Sequence, residues 1–363
     1  MKDVVYLPYW RLRGTLYSVV PFQIVTQAVD ASLLAVNLPF VPSTLGGRPQ
    51  TLRLRFATKS VEGVFHAPKV PFPSVLAVTE KQISKVQSDS TASQQDSFER
   101  AYIGDATSIV YAPFFIQGTT LYDAILQQPA GKVPENVDLR DPSLAAPDWT
   151  LNFLSATCPF CGWDLKGETD ACAFICKKCN SGWQPRGKEF KKIAAGMVGG
   201  GESDDFVYMP FWRIAPEISN LELASFADLI RLANLPKAVK PEWEKEPFVF
   251  WTPAFKVPPS LYLRTARVVT CSPFKAAIEE KVPQGPSHPV NLPMAEAIQT
   301  LKVIMASFAK PEKSIYKRLA EIQMKPVKGA LVYAPFRRNG ADLVSDELGF
   351  GISRQALVYG KTL

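Results

Sequence analysis

The sequence predicts an α+β, β-rich chain. Two related sheet or partly open barrel domains stand on either side of a small inserted module. Three observations carry this expectation. Short apolar and aromatic runs are punctuated by 31 prolines, a pattern of brief strands rather than of a helical bundle. The run Val5-Tyr6-Leu7-Pro8-Tyr9-Trp10-Arg11 is echoed by Val207-Tyr208-Met209-Pro210-Phe211-Trp212-Arg213. Between the echoes lie two close cysteine pairs, Cys158-Pro159-Phe160-Cys161 and Cys176-Lys177-Lys178-Cys179.

The echo continues in the same order. Ser32 to Pro39 answers Asp228 to Pro236, and Ile109-Val110-Tyr111-Ala112-Pro113-Phe114 answers Leu331-Val332-Tyr333-Ala334-Pro335-Phe336. An internal duplication follows. Residues 1–126 form one copy and 206–363 the other, with the cysteine module at 151–192. Gln128 to Asp148, with Pro129, Pro134, Pro142 and Pro147, reads as an extended connector spanning 127–150, and the Gly-rich stretch 193–205 as a flexible linker. Ser88 to Ser97 reads as a mobile surface loop.

Within each copy, proline after an apolar run and Tyr-x reads as the end of a strand, because it cannot donate to a ladder. Further strands are expected at Leu52–Ala57, Phe248–Trp251 and Tyr262–Val269. The second copy gains a helical insertion at about 294–324. Ile298, Leu301, Met305 and Phe308 fall on one helical face, Pro311 ends that run, and a second segment covers Glu312 to Gln323. The insertion accounts for the offset between copies growing from 202 at Tyr6 and Tyr208 to 222 at Tyr111 and Tyr333.

The cysteines carry the clearest chemistry. Four thiolates at Cys158, Cys161, Cys176 and Cys179 fill a tetrahedral zinc ion and leave no position for water, so the expected site is structural. Gly162 and Asn180 follow the knuckles, where positive φ relieves the turn. Trp163 and Trp183 come next at similar offsets and are expected to cover a small core. Residues 151–192 resemble the zinc-ribbon class. Rubredoxin-like iron and a disulfide pairing are the rivals, although the second knuckle lacks the Cys-Pro-x-Cys-Gly form usual in rubredoxins. Cys172 competes as a ligand at a less regular spacing, but Cys172 and Cys271 read better as ordinary thiols. The Tyr-x-Pro-aromatic-Trp units beside such a module resemble those of uncharacterised bacterial zinc-ribbon proteins, which implies a bacterial accessory protein and no mechanism.

Composition bounds the function. With 47% hydrophobic residues and mean hydropathy near zero over 363 residues, the chain can bury sizeable cores. No stretch of about 18 apolar residues exists and no signal-like core follows Met1, so a cytoplasmic location is expected. The net charge of +7 resides in residues 206–363, with 21 basic against 14 acidic side chains. Residues 151–205 carry seven of each, which argues against a phosphate-gripping module, although Lys177, Lys178, Lys188, Lys191 and Lys192 could form one basic edge.

No Walker loop, dinucleotide fingerprint, nucleophile elbow or His-Glu-x-x-His helix is present, and His66 and His288 read as loop or packing residues. Arg11 and Arg213, beside Trp10 and Trp212, are the remaining interaction candidates. The leading expectation is a non-catalytic adaptor or assembly subunit with a protein partner. A nucleic-acid binder using the ribbon and basic second copy is the alternative, and an enzyme with a site between the copies is the third reading.

Overall fold

The computed structural model describes residues 4–58, 60–71, 97–141, 153–168, 170–199 and 205–360. Strand accounts for 41% and helix for 17%, which makes the fold α+β and β-rich as the sequence predicts. Residues 88–96 of the expected surface loop, Pro142 and Pro147 of the connector, and residues 200–204 of the Gly-rich linker lie outside the described residues. The chain divides into two compact units. One takes Met1–Gly14, Ala28–Gln95 and Gly104–Leu151; the other takes Thr15–Gln27, Asp96–Ile103 and Asn152–Leu363.

The first sheet has the order β2 (Gln23–Leu34), β1 (Val4–Val20), β4 (Glu99–Gln117), β5 (Thr120–Asp123), β6 (Gln128–Lys132), with β3 (Val64–Phe65) parallel to β1. A single helical turn, α1 (Arg48–Thr51), precedes Leu52–Ala57, which forms no strand; Leu52, Leu54 and Phe56 are exposed. The alternating pattern there pairs with no strand among the described residues. Gln128–Lys132, expected to begin the connector, instead pairs with β5, and Pro129 is tolerated because β6 is an edge strand. Val5, Leu7, Tyr9, Phe114, Leu121 and Leu139 form the core of the first unit.

The second sheet runs β11 (Phe250–Pro253), β10 (Phe206–Ser219), β13 (Gln323–Asn339), β9 (Glu189–Val198), β8 (Ser181–Arg186), β7 (Phe174–Cys176). Two more strands, β14 (Asp342–Ser345) and β15 (Phe350–Ser353), continue from β13, and β12 (Ile278–Glu279) pairs with β9. Residues 287–290 bridge Tyr208 of β10 and Ala173 beside β7, curling the sheet on itself. The cysteine module is therefore no tethered appendage. Its strand β9 passes directly into parallel pairing with β13, from Ala194↔Ala330 to Met197↔Tyr333, through residues expected to be linker.

Six helices accompany this sheet among the described residues: α2 (Phe226–Leu232), α3 (Pro259–Cys271), α4 (Met294–Gln299), α5 (Leu301–Phe308), α6 (Glu312–Arg318) and α7 (Arg354–Tyr359). The insertion is helical as predicted, with Leu301, Met305 and Phe308 buried, but it breaks at Thr300, and β13 begins at Gln323. Tyr262–Val269 is helix rather than strand. Its β-branched Val268-Val269-Thr270 mislead, whereas the buried positions Tyr262, Thr265, Ala266 and Val269 follow the helical period, and Pro259 begins the helix where no N–H is needed.

The Tyr-x-Pro motifs do not end strands; Pro8, Pro113, Pro210 and Pro335 lie inside β1, β4, β10 and β13. The reason lies in what flanks them. Tyr208 bonds Pro286 and His288 along one side of β10, and two residues later the Pro210 carbonyl accepts from Ala254 N–H at 3.0 Å. N–H and C=O of one residue in an antiparallel strand point the same way, so the missing N–H of Pro210 falls where one neighbour hands over to the next.

The same contacts recur in both copies. His66 N–H donates to Tyr6 C=O at 3.0 Å and His288 N–H to Tyr208 C=O at 2.9 Å; Ala35 N–H donates to Pro8 C=O as Ala254 does to Pro210. Trp10 Nε1 donates to Val70 C=O and Trp212 Nε1 to Leu292 C=O, each at 2.8 Å. The hairpins β4–β5 and β13–β14 turn through Gly118 and Gly340, at φ +61° and +57°. The middle match fails, however. Ser32–Leu34 ends β2 while Asp228–Leu232 lies in α2, and the backbone counterpart of Ala35 is Ala254. The shared Asn-Leu-Pro serves a turn after either kind of element.

Candidate metal centre

The second knuckle is the β7–β8 hairpin. Cys176 ends β7, Lys177–Asn180 makes the turn, and Ser181 opens β8. The first knuckle is closed by Gly162 N–H to Cys158 C=O at 2.9 Å and Cys158 N–H to Trp163 C=O at 2.7 Å. Gly162 (φ +70°) and Asn180 (φ +52°) adopt the left-handed backbone that the sequence predicts.

The ligand atoms of Cys158, Cys161, Cys176 and Cys179 lie within 4.8 Å of one another, close enough to hold a metal ion. Sγ separations are 3.6 Å for Cys158 and Cys179 and 3.5 Å for Cys161 and Cys176. Tetrahedral thiolate coordination with metal–sulfur bonds of about 2.3 Å needs about 3.8 Å between sulfurs, so the donor set fits such an ion. All six cysteines are free. Burial pushes the Cys158 thiol up, but the backbone N–H groups of Cys161 and Phe160 outweigh it and hold the group down at about 6, whereas burial leaves Cys176 and Cys179 raised and Cys161 is raised as well. A thiolate is the form a metal requires. Ser181, which the motif alone does not flag, places Oγ 3.0 Å from Cys179 Sγ while accepting from Trp183 Nε1 at 2.7 Å. Such a hydroxyl orients and stabilises a coordinating sulfur.

Cys158, Leu165, Cys176 and Trp183 form the small core, with Phe174 and Phe190 packed edge to face at 5.7 Å. Trp163, expected in this core, is 53% exposed with Lys178 Nζ 5.0 Å from its ring centre. Phe160 is 75% exposed, with Lys192 Nζ at 5.8 Å. Neither ring is needed to cover the four buried residues, so both stay on the surface.

Other candidates have structural settings. Cys172 is outside the four-sulfur group; its N–H donates to Val290 C=O at 2.7 Å, and burial pushes its thiol up to about 12. Burial likewise raises Cys271 to about 11. Trp212 is 1% exposed, so it is a core residue rather than a surface anchor, and Trp10 is half-buried. Arg11 makes a bidentate pair with Asp30, at 3.0 and 2.7 Å. Arg213 is half-buried on β10 opposite Trp251 of β11, and burial pushes its guanidinium down against Glu246. His66 is buried and bonds the Leu139 carbonyl through Nε2 at 2.9 Å; His288 packs 5.3 Å from Phe255. The expected lysine edge is divided. Lys191 and Lys192 oppose Gln184 and Trp183 on β8, so successive side chains face opposite ways.

One sequence-invisible feature adjoins the knuckles. A cleft of about 430 Å³, wholly within the second unit, is lined by Trp163, Phe174, Ile175, Lys177, His288 and Tyr333 among others. No helix of the described residues is long and apolar enough to cross a membrane. No family model matches the chain, and no curated protein or solved structure matches it either.

Proposed function

We propose that this chain is a non-catalytic adaptor or assembly subunit in which a zinc ribbon presents an interaction surface to a protein partner. The observation that carries this reading is the pair of large aromatic side chains, Phe160 and Trp163, held exposed on a knuckle fixed by four thiolates. Exposed aromatics on a rigid turn are the residue type that anchors interfaces, because little ordering entropy is lost on binding. Four thiolates favour zinc in a closed, structural role, and reduced thiols suit a cytoplasmic setting.

The test is a native pull-down with mass spectrometry, comparing the wild type with Phe160→Ala/Trp163→Ala at equal metal content. A partner retained by the wild type and lost by the variant supports the reading; a partner indifferent to both substitutions sinks it. Elemental analysis of the purified protein should give one zinc per chain, and iron in its place would overturn the metal assignment.

A second reading has its own observation. Lys178 and Lys192 lie over those same rings, and the described stretch 153–199 carries seven basic against four acidic side chains. That combination suits an unpaired nucleic-acid strand, with bases stacking on the rings and lysines meeting phosphates. Salt separates the two. Nucleic-acid binding falls steeply with salt, whereas an aromatic-anchored protein contact changes little.

A further inference from the structure

The turn of the second knuckle is fastened to a distant segment. Lys177 Nζ donates to the carbonyls of Gln284 and Gly285 at 2.7 and 3.1 Å, and Gln284 Nε2 returns a bond to the Lys177 carbonyl at 3.2 Å. Asn180 Oδ1 accepts from Val282 N–H at 3.2 Å. Lys177 and Asn180 open and close the four-residue turn that begins after Cys176 and ends before Ser181.

The segment so held builds the fold on its other side. Tyr208 of β10 lies between the Pro286 carbonyl and the His288 N–H, both at 2.9 Å, and Val290 accepts from Cys172 N–H at 2.7 Å. Ser287 to Val290 then line the 430 Å³ cleft together with Trp163 and Lys177. Between β12 and α4 the knuckle turn thus holds the segment at Val282, Gln284 and Gly285, while Tyr208 and Cys172 hold it at Pro286, His288 and Val290. The knuckle turn itself depends on the cysteines. The core beneath the turn has only four buried residues, and in small modules of this kind metal binding supplies much of the folding energy.

We infer that metal occupancy of Cys158, Cys161, Cys176 and Cys179 fixes the Val282–Gly285 end of the segment that runs to Val290, so that the knuckle is a metal-dependent latch at one end of the wall of the adjoining cleft. Loss of metal frees the turn, the Lys177 and Asn180 bonds go with it, and the wall loosens. This rests on the reading of the cysteines as a metal site, and the experiment distinguishes the two failures.

Hydrogen exchange with mass spectrometry is measured on the full chain in three states: zinc-loaded, chelator-stripped, and reloaded with zinc, with metal content followed by elemental analysis. Peptides covering 282–290 are expected to exchange about tenfold faster after stripping and to recover on reloading, while the β5–β6 hairpin is unchanged. Two variants keep every cysteine. Lys177→Met removes the ammonium clamp, and Asn180→Gly removes the Oδ1 acceptor while preserving a residue that accepts positive φ. Each should raise exchange at 282–290 with zinc still bound. Metal that leaves without changing exchange at 282–290 overturns the latch and spares the metal site. Protein that takes up no metal overturns both.

Discussion

Trp212 shows how far a residue's chemistry reads from its type and how far it does not. An arginine beside a tryptophan suggested a surface anchor, yet the indole is buried and its Nε1 is bonded to Leu292 C=O at 2.8 Å. Sequence carries the donor; it does not carry the carbonyl 80 residues away. Trp212→Phe should therefore destabilise the fold by about 1–3 kcal/mol, the cost of leaving a buried acceptor unpaired, as measured by urea unfolding. An unchanged midpoint would show that the carbonyl finds water instead. The cysteines behave oppositely. Their chemistry is local enough that the grouping of four cysteines, turn conformation at Gly162 and Asn180, and closure by Trp183 are all legible. Trp163 was misjudged because an equivalent offset after a knuckle does not fix which way a side chain turns.

At the scale of elements, local pattern succeeded where apolar residues run dense and failed where a partner decides. Leu301, Met305 and Phe308 mark α5, which is buried also at Val303, Ile304 and Ala306; Leu52–Ala57 has strand-like alternation but pairs with no strand among the described residues. The prolines are the sharper case. If Pro210 is accommodated because its missing N–H falls at a handover between neighbours, Pro210→Ala adds a buried donor with nothing to meet. Destabilisation of about 1–3 kcal/mol by chemical denaturation is expected. A gain in stability would mean a ladder bond was waiting there.

The N-terminus of α2 supplies a pH test at the same scale. Burial pushes the Asp228 carboxyl up, but the Ser225 hydroxyl and the N–H groups of Ser225 and Ala224 outweigh it and hold it below its ordinary value. The folded value thus lies under the unfolded one of about 3.9, so this contribution is complete above that pH and is lost as pH falls through the folded value. Asp228→Asn should flatten the acid side of the stability profile below about pH 4. An identical slope in both proteins would remove Asp228 from the account.

At the scale of the whole molecule, the decisive feature is that the module between the two copies is woven into the second sheet. Since β9 pairs with β8 on one side and with β13 on the other, an ion held by the four cysteines would stabilise the sheet as well as the knuckles. Chelation, or Cys176→Ser, should lower the unfolding free energy of the second unit by about 4 kcal/mol or more, the mass-action value for a metal at about a thousandfold excess over Kd. Calorimetry with and without zinc checks this. Loss of metal with no change in unfolding would return the module to the status of an independent appendage. From the sequence alone came the four cysteines that cluster closely enough to hold a metal ion, the β-rich class and the recurrence of Tyr-x-Pro-aromatic-Trp, because each depends on residue type at short range. Only the tertiary structure decided that prolines sit within long strands, that Trp212 is core, and that residues 193–198 of the expected linker continue a strand, parallel to β13 at 194–197. Those outcomes depend on which distant segment lies alongside, and hydrogen-bond partners far apart in the chain leave no local periodicity to read.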